Sequence, residues 1–132
     1  MNLKYDLLEM EIKNLILIVD DDVRNIFALE LTLKAKGYKV ISCQDAREAL
    51  QIIEENNQLG LVLMDMMMPD MDGYEAISTV RNSAKYPKIP MIAVTAQAMS
   101  GDREKCIASG ANDYVSKPIQ VDVLLDVIKK WM

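Results

Sequence analysis

The sequence predicts an α/β fold, a doubly wound parallel sheet of five strands with five helices on its two faces, and three observations carry that prediction. Five short runs recur along the chain, at 15–19, 39–43, 61–64, 91–94 and 114–116. Most of them are continuously apolar instead of alternating, which is how strands buried on both faces read. The stretches between them are long enough for crossover helices.

Taken in order, residues 1–14 stand outside the strand–helix rhythm. Leu3, Leu7, Leu8 and Ile12 would line one side of a short helix with Glu9 and Glu11 exposed. The segment reads either as a frayed end or as the last part of a linker helix from a longer chain. The first strand, 15–19, is Leu-Ile-Leu-Ile-Val, and the helix after it spans about 23–36. That helix carries Ile26, Phe27, Leu29, Leu31 and Leu33 and stops at Gly37, a good C-terminal cap. The second strand leads to Gln44 and Asp45, the third to Asp65, the fourth to Thr95 and the fifth to Lys117. Residues 98–106 read as the solvated start of a helix. The final helix shows its face plainly, with Val121, Leu124, Leu125 and Ile128 at i, i+3, i+4 and i+7. There is no internal repeat, low-complexity tract or linker. The expectation is one domain over 14–132, preceded by an extension or linker remnant over 1–13.

Composition removes several function classes. Of 132 residues, 51% are apolar and 27% charged, which suits a folded domain with a buried core. The net charge of −5 disfavours direct contact with nucleic acid. There is no histidine, so His-based triads, His metal ligands and an internal phosphohistidine are all excluded. Cys43 and Cys106 are too few for a disulfide scaffold and read as reduced, buried thiols. The longest clean apolar run has five residues, and residues 1–6 lack the apolar stretch of a signal peptide. A soluble, cytoplasmic protein without membrane contact is the expectation.

Chemistry collects at the strand ends, where ligands of open parallel sheets bind. Asp20, Asp21 and Asp22 follow the first strand, Asp65 the third, Thr95 the fourth and Lys117 the fifth. Each has an ordinary reading alone, and Asp22 suits a helix N-cap. Together they are harder to dismiss. Carboxylates within about 4 Å repel by roughly 4 kcal/mol per pair at an effective dielectric of 20, so something positive must sit among them. Lys117 supplies one charge. With only carboxylate and carbonyl oxygens on offer, the second should be a hard ion, Mg²⁺ or alternatively Mn²⁺. Such an ion completes its shell with water and phosphate, so a phosphoryl group is the implied guest. The five glycines form no nucleotide-binding loop, which points to transfer onto a carboxylate of the protein itself.

Four stretches then resemble the receiver domain of two-component response regulators: Ile16-Leu17-Ile18-Val19-Asp20-Asp21-Asp22, Leu63 to Gly73, Val94-Thr95-Ala96, and Tyr114-Val115-Ser116-Lys117-Pro118. The resemblance covers nearly all of 14–132 and implies a flavodoxin-like sheet of order 2-1-3-4-5. It implies Asp65 as phosphoacceptor, with Asp65, Thr95 and Lys117 as the catalytic set. Asp20, Asp21, Asp65 and the Met67 carbonyl would hold Mg²⁺, with Asp20 acting mainly through water. Thr95 and Tyr114 would form the switch. Ala96 would leave room for the phosphoryl group, the Lys117–Pro118 bond would be cis, and Gly73 would permit a tight turn.

Of the methionines around Asp65, Met64 and Met66 read as core filler. Met68 and Met71 read as partly exposed, part of a docking surface beside Asp65. Residues 22–29 and 98–106 look like receivers attached to hybrid sensor histidine kinases, with a stand-alone regulator as the other option. The expected partner is a histidine kinase or histidine phosphotransfer protein, with a phosphorylation-dependent dimer as an option. The chain is expected not to be an enzyme beyond self-phosphorylation and self-dephosphorylation. Two alternatives stand beside this. Asp20-Asp21-Asp22 superficially resembles the D-x-D signature of haloacid-dehalogenase-like phosphatases, although Arg24 departs from that pattern. An unphosphorylated, receiver-like scaffold is the other.

Overall fold

A computed structural model describes residues 13–96 and 101–132. The helix expected within 1–14 therefore lies almost wholly outside the described residues, as do Ala98, Met99 and Ser100 of the 98–106 segment. The elements run β1 (Leu15–Val19), α1 (Val23–Ala35), β2 (Lys39–Cys43), α2 (Ala46–Glu55), β3 (Leu59–Asp65), α3 (Gly73–Arg81), β4 (Met91–Thr95), α4 (Asp102–Ser109), β5 (Asp113–Ser116) and α5 (Val121–Trp131). The five strands form one parallel sheet in the order β2-β1-β3-β4-β5. This is the expected topology.

The period-2 geometry of the strands divides the core into two layers. Leu17 and Val19 of β1, Val62 and Met64 of β3, and Met91 and Ala93 of β4 face α2, α3 and α4, where Ala49, Ile53, Ala76, Ile77 and Cys106 meet them. Their neighbours Ile16, Ile18, Leu61, Leu63, Ile92 and Val94 face α1 and α5, against Ile26, Leu29, Leu33, Leu124 and Ile128. Both layers cover the central strands, which is why β1, β3 and β4 read as apolar runs. Each of the first three helices starts on an aspartate side chain. Asp22 accepts from the Arg24 amide at 2.9 Å, Asp45 from Glu48 at 2.8 Å and Asp72 from Glu75 at 2.9 Å. A cap of this kind is worth about 1 kcal/mol. Gly37 closes α1 at φ 91°, the left-handed position a C-terminal glycine supplies.

Three expectations are corrected. Met68 and Met71 are buried, at 7% and 9% exposure, within the layer beneath α3. The loop after β3 folds back onto the core, and the exposed methionine is Met67 instead, at 59%. Gly73 makes no tight turn; it is the first residue of α3. It is needed because a Cβ there would lie 2.6 Å from the Asp65 carbonyl oxygen and 2.8 Å from Met66 Cα. The left-handed residue of that loop is Asp70, at φ 68°, a conformation Asp tolerates better than most. Finally, Val121 is exposed, and the inward face of α5 is carried by Leu124 and Ile128. Cys43 and Cys106 are both buried free thiols, as expected.

Candidate functional site

The sheet order reverses between β1 and β3. The helix after β1 packs on one face and the helix after β3 on the other, which leaves a crevice at the carboxyl ends of these neighbouring strands. Asp20 and Asp21 follow β1 at one wall, and Asp65 is the last residue of β3 at the other. Asp20 and Asp65 are each 3% exposed, whereas Asp21 is open to solvent. Thr95, 2% exposed, ends β4 next to β3, and Lys117 follows β5. Four separate strand ends thus meet at one rim.

One carboxylate oxygen each from Asp20, Asp21 and Asp65 lies within 4.8 Å of the others. Lys117 Nζ stands 3.5 Å from Asp20 Oδ2 and 3.6 Å from Asp65 Oδ2. Asp20 Oδ1 accepts from the Asp22 amide at 2.8 Å, and its Oδ2 accepts from Asn25 Nδ2 at 3.4 Å. Asp65 Oδ1 accepts from the Met67 amide at 3.1 Å. Burial pushes the Asp65 carboxyl up from 3.8 to about 6. The Met67 amide and Lys117 oppose that rise, while Asp20 and Asp21 add to it. Three carboxylates against one amine leave a formal excess of two negative charges if all are ionised. A hard divalent cation with oxygen preference fits such a donor set.

Every rim residue singled out from the sequence is at this crevice or next to it. The Thr95 carbonyl accepts from the Lys117 amide at 2.7 Å, which ties the ends of β4 and β5 together. Ala96 is exposed, Tyr114 is half-buried against the layer that contains Met64, and the Lys117–Pro118 bond is cis. Gln44 and Asp45 belong to the edge strand's end, and Asp45 is occupied as the cap of α2. Two contributors escaped the sequence reading. Asn25 reaches Asp20 from the first turn of α1, and its spacing just after the Asp22 cap is the signal that could have found it. The Met67 amide is backbone, and no residue type advertises it.

The comparisons with known proteins agree with this geometry. The family model described as response regulator receiver domain matches residues 16–129. The polar-differentiation response regulator DivK of Brucella ovis is 34% identical over 117 residues, covering 89% of this chain and 94% of that protein. The receiver domain of a sensor histidine kinase from Pseudomonas aeruginosa, with magnesium coordinated in its active-site cleft, superposes with TM-score 0.80 at 34% identity, covering 90% and 97%. A chain from the complex of the Saccharomyces cerevisiae histidine phosphotransfer protein Ypd1 with the receiver domain of Ssk1 gives TM-score 0.82 at 29% identity, covering 90% and 88%.

Proposed function

We propose that Asp65 is the phosphoacceptor of this chain, which belongs to the response regulator receiver family of two-component signal transduction. The observation that carries the assignment is the convergence of the Asp20, Asp21 and Asp65 oxygens within 4.8 Å beside the Lys117 amine. The donor is a phosphohistidine of a histidine kinase or histidine phosphotransfer protein. One Asp65 oxygen attacks phosphorus; the P–O bond forms as the P–N bond breaks, and the freed imidazole nitrogen leaves with the electron pair. Asp20, Asp21, Asp65 and the Met67 carbonyl would hold Mg²⁺, or Mn²⁺ in its place, which neutralises the phosphoryl oxygens when bound. Lys117, already paired to Asp65, follows the phosphoryl oxygens with its amine. The Thr95 hydroxyl donates a hydrogen bond to the new group, and Tyr114 responds to that movement. Charge-assisted bonds of this sort contribute about 1.5–3 kcal/mol each, enough to bias a two-state equilibrium.

The donor would approach over α1. Val23, Phe27 and Leu31 recur at i, i+4 and i+8 and are 56%, 64% and 57% exposed. This apolar row begins one residue after the Asp22 cap, beside the crevice, where an incoming helix would bring its phosphohistidine to Asp65. The receiver unit is read as 14–132 with 1–13 as an extension. The similarity to a kinase-borne receiver supports a hybrid-kinase module, and DivK supports a solitary regulator. A receiver accepts a phosphoryl group and is not by that an enzyme; self-phosphorylation from small donors and self-dephosphorylation are the activity expected of it. No helix among the described residues is long and apolar enough to cross a membrane.

The test is intact-mass analysis after exposure to a small phosphodonor with Mg²⁺. The wild-type chain gains one phosphoryl group, and Asp65→Ala gains none. A label that persists on another residue in Asp65→Ala overturns the assignment. Turnover of small phosphate esters that depends on Asp20 and survives in Asp65→Ala would favour a phosphohydrolase.

A further inference from the structure

We propose that Asn25 is a positioning residue of the crevice, which fixes the Asp20 carboxylate toward a bound Mg²⁺ and leaves Lys117 free for Asp65. The inference rests on the phosphoacceptor reading and adds to it a residue from outside the rim of strand ends.

The start of α1 departs from that of every other described helix. α2 and α3 each open with an aspartate cap and a glutamate three residues on, Asp45 with Glu48 and Asp72 with Glu75. α4 and α5 also carry acids in their first turn, Asp102 and Glu104 in one and Asp122 in the other. Such acids suit the positive end of the helix dipole. α1 has its aspartate cap, Asp22, but Asn25 stands three residues on and the first turn holds no acid. Asparagine is a poorer helix former than glutamate and gives up the attraction to the dipole. Local helix chemistry therefore does not account for the residue.

The crevice does. A glutamate three residues after the cap ordinarily reaches back to the cap residue's own amide. In α1 that amide, on Asp22, already donates to Asp20 Oδ1 at 2.8 Å. Asn25 Nδ2 donates to the other oxygen of the same carboxylate, Oδ2, at 3.4 Å. A glutamate at this position would set a fourth carboxylate against Asp20, Asp21 and Asp65, whose oxygens already lie within 4.8 Å of one another. The amide gives Asp20 a donor without adding charge.

The acceptor sites of Asp20 are nearly full. An ionised carboxylate offers about four. On Asp20 they meet the Asp22 amide, Asn25 and Lys117 Nζ, the last at 3.5 Å, which leaves about one for the water shell of an ion. Lys117 is shared, since its Nζ also stands 3.6 Å from Asp65 Oδ2. Asn25 and Lys117 line one cavity of about 320 Å³ between α1 and the loop after β5, and both end on Asp20 Oδ2. With Asn25 in place, Asp20 keeps its orientation when the amine follows a phosphoryl group. Without it, Lys117 must serve Asp20 and Asp65 together, and the Asp20 carboxylate is freer to turn.

The test uses the full chain and takes alanine as the best helix former for this position. Asn25→Ala should weaken Mg²⁺ binding by calorimetry roughly tenfold, the order of one lost bond to a charged group. Its metal-free melting temperature should stay close to that of wild type. Asn25→Gln, which keeps the amide donor, should recover most of the affinity. Labelling of Asn25→Ala from a small phosphodonor, read by intact mass, should slow about tenfold at limiting Mg²⁺ and far less at saturating Mg²⁺. That split is the mark of a residue that places a metal-binding group. Mg²⁺ affinity unchanged in Asn25→Ala overturns the proposal and leaves the phosphoacceptor reading standing. Equal weakening by alanine and glutamine also overturns it, since the amide donor then plays no part. A label that persists in Asp65→Ala, with the Mg²⁺ affinities as expected, would strike at the phosphoacceptor reading alone.

Discussion

The crevice of clustered carboxylates should weaken the fold when no cation is bound, and Asp65→Asn isolates that effect. Three carboxylates share the crevice, and two of them are buried. Burial lifts Asp65 from 3.8 to about 6, so the folded protein holds a proton there at pH values where the unfolded chain has lost it. Stability from this site is complete below pH 3.8 and is lost as the pH rises through 6. At pH 7 the native state keeps Asp65 ionised at a cost of about 3 kcal/mol relative to the unfolded chain. Asparagine has the same shape and nothing to ionise. Without divalent metal at pH 7, Asp65→Asn should therefore be more stable than wild type by up to about 3 kcal/mol, or on the order of 10 °C in Tm for a domain of this size. The gap should shrink as the pH falls and close near pH 3.8. Mg²⁺ at a hundred times its Kd should return about 2.7 kcal/mol to wild type and little to the variant. Urea melts across pH 4–8, with chelator and with Mg²⁺, make the measurement. A variant no more stable than wild type at pH 7 with chelator, or a gap indifferent to pH, would refute the reasoning.

Three further outcomes follow from the geometry. Phe27→Glu should slow phosphotransfer from a histidine phosphotransfer partner by about tenfold or more, as losing a docking anchor does, while small-donor labelling is unchanged; an equal fall in both rates would place Phe27 outside the docking face. Asp21→Asn, at an exposed position, should leave the melting temperature nearly unaltered yet weaken Mg²⁺ binding at least about tenfold by calorimetry. Gly73→Ala should cost about 2–3 kcal/mol in a urea melt, because the new methyl meets the backbone of Asp65 and Met66, which cannot yield as a flexible side chain would; a neutral substitution would show that the α3 start can shift.

The central strands were legible because both sheet faces are covered there, so the runs at 15–19, 61–64 and 91–94 carry no polar interruption. The run at 15–19 matches β1 residue for residue, whereas the third strand, read as 61–64, extends from Leu59 to Asp65. The rim was legible for a related reason. A polar residue at the end of an apolar run has left the core, and in a parallel sheet all such ends lie on one side. What stayed hidden depends on how loops fold back. Met68 and Met71 follow an aspartate, a proline lies between them, and nothing in their spacing shows that the loop tucks beneath α3. Gly73 looked like a turn residue because glycine serves two purposes, left-handed backbone and close approach, that the letter alone cannot separate. The exposure of Val23, Phe27 and Leu31 was equally hidden. The first helix carries apolar residues on two sides, and only the packed side, Ile26, Leu29 and Leu33, meets the sheet.

The meeting of Lys13 and Met132 around Gly60 has an architectural consequence. The first and last described residues therefore lie at one small patch, a full strand length from the Asp20–Asp65 crevice. A host protein can carry such a unit at its head or its tail, or splice it into a surface loop. In each case the chemistry faces outward and the joints stay out of its way.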